Sequence, residues 1–325
     1  TQWLAMAVAI LAARSNSDLS QAAMATGAAV GVQTMLNYTR DFEREADRIG
    51  IQTLERAGFD VRGMASFFER MQKFGRLYEN NAPGYLRTHP LTTERISDME
   101  HRILQAQYRQ VTDSLEFQLV RAKLRASQGH PNDAIVDFES QLRERKYLSE
   151  AAARYGLAVA QMRAKNYAAV DREIAELRRL KASSPMLDTL ATDTKKARGD
   201  LAGALKLYRE VRIRHPRNRA LLYGQIDALL ADGQAQEALK TATAELQLTP
   251  SDAALHGLQA KSHAALGKRL QQHRAQAELY VLQGYLAPAI QQLELAQKAG
   301  DGDYFEHSQV DARLRELRAR HLEEM

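Results

Sequence analysis

The sequence contains no cysteine, which removes disulfides, thiolate metal sites and cysteine nucleophiles from consideration. That absence suits a reducing or an oxidising compartment equally. Proline is scarce, with 7 residues in 325, and aromatic residues make up only 6%. Ala, Leu, Gln, Arg and Glu recur in their place, and these side chains lose least on entering a helix, so an almost wholly helical protein is expected. Long apolar runs are also lacking. The stretch WLAMAVAILAA at residues 3 to 13 falls short of the roughly 20 residues that cross a bilayer, and reads as a buried helix. No basic leader followed by a cleavage site is visible.

The remainder is ordinary for a globular protein of up to two domains, at 45% hydrophobic and 26% charged residues. The net charge of +5 hides a local surplus: residues 195 to 219 hold nine Lys and Arg against Asp200 and Glu210. This window reads either as a solvated helix face or as a patch for an acidic partner or an anionic membrane surface. Nucleic acid is not expected there, because Tyr208 is its only aromatic residue and stacking platforms need several.

Periodicity dominates the second half. Gly199, Gly233 and Gly267 stand 34 residues apart, as do Pro216 and Pro250. Ala204 and Ala238 follow their glycines by five positions. Glycine permits a tight turn, alanine lets two helices approach, and proline ends the second helix, which together describe a helical hairpin. The pattern resembles the tetratricopeptide repeat. It extends back to Gly129, Ala134 and Phe138 through a degenerate unit around Tyr155, Gly156, Tyr167 and Ile174 with a two-residue insertion. After Gly267 the period halves at Gly284, so a helix near 270 to 283 is expected to serve two hairpins, and a helix near 308 to 322 to cap the array. In this register Lys123, Lys196, Tyr223, Asp227 and Lys261 are candidate residues of a partner-binding groove on the first helices.

The first hundred residues carry a different signal. In YTRDFEREADRIG, Arg40, Glu43, Ala46 and Asp47 spell R-x-x-E-x-x-A-D. Glu43 and Asp47 lie at i and i+4 and share one helix face, while Phe42, Ala46 and Ile49 offer an apolar rhythm to seat the helix. Taken alone, the two carboxylates could be a solvated face. Some forty residues later comes THPLTTERI, residues 88 to 96, where a loop histidine precedes a helix opening at Thr92 or Thr93.

R-x-x-E-x-x-A-D followed by T-H-P-x-x-x-x-R-I resembles the HtpX-like zinc metallopeptidases, and the repeat tail narrows the likeness to periplasmic members that combine protease and chaperone-like activity in outer-membrane barrel assembly. The resemblance implies a mainly α fold: residues 1–110 as the C-terminal portion of a helical zincin-type metallopeptidase domain, and residues 111–325 as a tetratricopeptide-repeat α-solenoid. It implies zinc in the intact protein, held by two histidines of an H-E-x-x-H helix whose Glu is the general base, with Glu43 as third ligand. Asp47 would bond a ligand imidazole from behind. It also implies misfolded or assembling outer-membrane proteins and their assembly machinery as partners.

None of the nine histidines belongs to an H-E-x-x-H. The chain opens at Thr1 on the apolar helix that ordinarily follows the zinc helix in such proteins, so a truncated chain is expected, inactive as it stands. His89 is either a loop residue before the helix cap or an inhibitory fourth zinc ligand, since closed four-ligand sites are structural ones. The alternative to an enzyme fragment is a non-catalytic repeat scaffold for protein–protein interaction.

Overall fold

The computed structural model describes residues 41–76, 93–104, 106, 108–109 and 111–324. Every regular element among them is a helix. The chain divides into two compact units, residues 1–112 and 113–325.

In the first unit, α1 covers residues 41–56, α2 Arg62–Arg76 and α3 Thr93–Leu104. A left-handed Gly58 turns the chain between α1 and α2. Helix α2 is strongly amphipathic and turns Phe68 inward, preceded by buried Val61; α3 buries Arg95 and Met99, one turn apart. The expected apolar seat of α1 is corrected here: Phe42 is 71% and Ile49 50% exposed, and Ala46 is exposed too. Its inward stripe is instead Glu43, Asp47, Gly50 and Leu54. Gly50 faces the Met64 side chain, whose Cε lies 3.4 Å from where a Cβ would stand.

The second unit is a chain of antiparallel helical hairpins. Its helices are α4 Leu115–Ala126, α5 Pro131–Glu144, α6 Glu150–Arg163, α7 Tyr167–Arg179, α8 Pro185–Ala197 and α9 Leu201–Arg214. They continue as α10 Arg219–Ala231, α11 Ala235–Leu248, α12 Ala253–Ala265, α13 Arg269–Leu282, α14 Leu286–Gln297 and α15 Tyr304–Glu323. The periodic glycines sit in the hairpin turns with positive φ, from 56° at Gly129 to 81° at Gly199 and Gly284, a region costly for residues with a Cβ. In the degenerate unit Lys165 takes that place at φ 58°. Measured against the unit of α9 and α10, the two inserted residues are absorbed one in the connection 145–149, against 215–218, and one in α6, which has 14 residues against 13 in α10.

Packing between hairpins follows a volume exchange. Phe138 of α5 presses on Gly156 of α6, where an added Cβ would lie 2.3 Å from the ring. Tyr208 of α9 meets Gly224 of α10 in the same way, at 2.4 Å from its hydroxyl. One period later Ala242 replaces Tyr208 and Leu258 replaces Gly224, both buried, so large meets small in each layer. Burial and the neighbouring Asp193, which accepts from its hydroxyl at 3.1 Å, raise the Tyr208 pKa.

Helix α13 packs closely on both α12 and α14, as the half period requires. The array closes on α15, which starts at Tyr304, four residues before the expected 308. Asp303 caps it, accepting from the Glu306 amide at 2.8 Å while Glu306 Oε2 accepts from the Asp303 amide at 3.0 Å. Val310, Leu314 and Leu317 form its buried stripe.

Candidate functional site

Glu43 and Asp47 are brought together with a residue that the sequence reading did not select. Arg95, on the first turn of α3, is 9% exposed and Asp47 5%. Arg95 Nε donates to Asp47 Oδ2 at 2.7 Å and Nη2 to Oδ1 at 2.8 Å, a two-pronged contact. Its Nη1 lies 2.9 Å from Glu43 Oε2. The guanidinium carbon sits 5.4 Å from the centre of the Phe68 ring, whose face attracts the cation. Charges are buried at a cost of several kcal/mol each unless paired with good geometry, so this arrangement explains how α1 turns an acidic stripe inward. On the exposed side Arg44 bonds both Asp41 and Glu94. The one available signal was the place of this arginine in T-H-P-x-x-x-x-R-I, which marks the residue without marking its burial.

The donor chemistry fits a metal in one respect. Glu43 is an interior carboxylate with one oxygen already held by a hydrogen-bonding cation, as ligating carboxylates commonly are. Asp47 has Arg95, not an imidazole, as its partner here. No group of three His, Cys, Asp or Glu that could hold a metal occurs among the described residues. His89 lies outside the described residues, as do Arg40, Thr92 and the apolar stretch 3–13.

In the repeat unit the groove candidates fall on alternate helices: Lys123 on α4, Lys196 on α8, Tyr223 and Asp227 on α10, and Lys261 on α12. Lys261 Nζ reaches Asp227 Oδ1 at 3.5 Å, and Lys196 lies 3.8 Å from Asp193. The Tyr223 hydroxyl donates to Asp252 Oδ2 at 2.6 Å; burial and that carboxylate push its pKa up to about 12. Lys123 is exposed. Beside it a cavity of about 470 Å³ opens between α4 and the α5–α6 connection, lined by Arg121, Arg125, Phe138, Lys146 and Tyr147 among others. Its cations are balanced, with Arg125 2.8 Å from Asp137 and Lys146 2.7 Å from Glu144.

The basic window is largely neutralised by neighbouring helices. Lys195 pairs with Asp200, Arg198 with Asp171, Arg212 with Glu245, Arg214 with Asp188 and Arg219 with Asp252. Lys206, Arg209 and Arg217 are exposed and make no ion pair with the described residues. Tyr208, its aromatic residue, is fully buried. Among the described residues no helix is long and apolar enough to cross a membrane.

Residues 1–103 match Peptidase family M48. Over 321 residues the chain is 31% identical to the beta-barrel assembly-enhancing protease of Escherichia coli (strain K12), an alignment covering 97% of this chain and 65% of that protein. The protein of the same name in Yersinia pestis is 28% identical over 321 residues, with the same shares. The chain therefore spans 65% of the length of these relatives. A tetratricopeptide repeat protein from Parabacteroides merdae superposes with a TM-score of 0.41 at 15% identity, over 85% of this chain and 98% of that one.

Proposed function

We propose that the chain is part of a zinc metalloendopeptidase of the periplasm, on the match of residues 1–103 to Peptidase family M48 and the 31% identity over 321 residues to a beta-barrel assembly-enhancing protease. Its role in this reading is the assembly and quality control of outer-membrane proteins, with the repeat unit binding substrates or assembly machinery. Glu43 is the third zinc ligand and Asp47 its neighbour one turn on. The two histidines and the general base belong to an H-E-x-x-H that residues 1–325 do not contain. When bound, zinc supplies Lewis-acid activation of water for peptide hydrolysis. Residues 1–325 alone are therefore expected not to cleave peptides.

The observation that carries this reading is the pairing of Glu43 and buried Asp47 with the arginine of the T-H-P segment, which favours an inward role for those carboxylates over a solvated face. The test is Glu43→Gln in the full-length protein: bound zinc and proteolysis should both be lost. Retention of full zinc stoichiometry would overturn it. His89 is proposed as the inhibitory fourth ligand; His89→Ala should raise proteolysis, and unchanged or lower activity counts against that role.

The second reading, a non-catalytic repeat scaffold, draws on the array of helical hairpins that makes up residues 113–325. It predicts that full-length protein holds no zinc and that Glu43→Gln leaves partner binding untouched.

A further inference from the structure

Arg95 is engaged through all three of its nitrogens. Nε and Nη2 take the two oxygens of Asp47, Nη1 takes Glu43, and Phe68 lies against the guanidinium plane. A cation needed only for charge balance could be a lysine. The planar fork adds direction: two parallel bonds fix the Asp47 carboxylate, and the third nitrogen then fixes where Glu43 must lie one helical turn away.

We infer that Arg95 is a positioning residue, which sets the rotamer of Glu43 and hence the direction in which that carboxylate meets a metal. Through it α3, and with α3 the end of the T-H-P segment, is tied to the helix that carries the ligand. The inference rests on the reading of Glu43 as a zinc ligand. It assigns Arg95 no contact with substrate or metal.

The test uses the full-length protein with zinc and with cobalt(II) as a spectroscopic probe, in wild type, Arg95→Lys, Arg95→Met and Glu43→Gln. Arg95→Lys keeps the charge without the fork. It should remain folded by circular dichroism, raise the zinc dissociation constant by about 10- to 100-fold, and shift the cobalt d–d absorption at saturating metal. A lower melting temperature with unchanged zinc affinity and cobalt spectrum, while Glu43→Gln loses the metal, would reduce Arg95 to a structural ion pair and overturn the inference alone. Wild-type zinc affinity in Glu43→Gln would remove the ligand reading and the inference with it. Should Arg95→Met not fold, Arg95→Lys still decides.

Discussion

The two units are built from the same kind of helix but held by different forces. In the first, α1 meets α3 through a trio of charges, buried Asp47 and Arg95 and part-buried Glu43, while Phe42, Ile49, Phe59 and Phe67 remain exposed. In the second, alanines and leucines fill three successive apolar clusters, with ring-on-glycine contacts in the first two, and ion pairs are exposed or part-buried. Apolar contacts are tolerant and repeat from layer to layer. A buried ion trio is specific, and it fails as a whole when one member is removed. A polar grip is a poor route to stability but a good one to fixed geometry, which a ligand site needs and a solenoid does not.

The difference is most sharply tested by Arg95→Met. Leaving buried Asp47 and part-buried Glu43 without their cation should cost about 3–5 kcal/mol, confined to the first unit. Hydrogen exchange should show protection lost in residues 41–56 and 93–104 and kept in the repeats. Equal loss in both units would break the contrast.

Gly156→Ala is the counterpart in the repeats. Its Cβ would stand 2.3 Å from the Phe138 ring, which is buried and has little room to move. A destabilisation of about 1–3 kcal/mol is expected from urea unfolding, partly recovered when Phe138→Leu is added. No recovery would mean that the layer does not trade volume in the way described.

Asp303→Ala removes the cap of α15 and should cost about 1 kcal/mol, seen as a lower melting temperature with little change in the first unit. The smallest effect is a pH dependence of the repeats. Burial, helped by Lys268 and Arg274 and opposed by Glu306, holds the His263 pKa below its ordinary 6.5, and its Nδ1 has no hydrogen-bond partner. The unfolded chain then takes up the proton first. Stability from this group is complete above pH 6.5 and declines as pH falls from 6.5 toward the folded value. His263→Gln should flatten the slope of urea midpoint against pH between 7.5 and 5, values that bracket ordinary imidazole titration near about 6.5. An unchanged slope would move the effect elsewhere.

The hairpins were legible because a 34-residue period writes the same turn, close contact and helix end again and again. Gly199, Gly233, Gly267 and the half step to Gly284 located turns that the structure contains. Arg95 was not legible in the same way. It occurs once, and nothing local marks a charged residue as buried when the nearer of its two acidic partners lies 48 positions away. The same blindness misassigned α1: Phe42, Ala46 and Ile49 follow helical spacing, and only the distant guanidinium makes the charged stripe the inner one. Lys165 shows a milder limit, since a lysine in a left-handed turn leaves no trace in a search for glycine.

The half period at α13 also bears on reach. Alternate helices touch in one row, α4 with α6, α6 with α8, α8 with α10 and α10 with α12. Beyond this the next-neighbour contact moves to α13 with α15. The row thus changes parity after α12, and all five groove candidates lie before the change. Side chains repeated at a constant stride along that row lose step there, so the regular surface is bounded by a fault in counting, at Gly267.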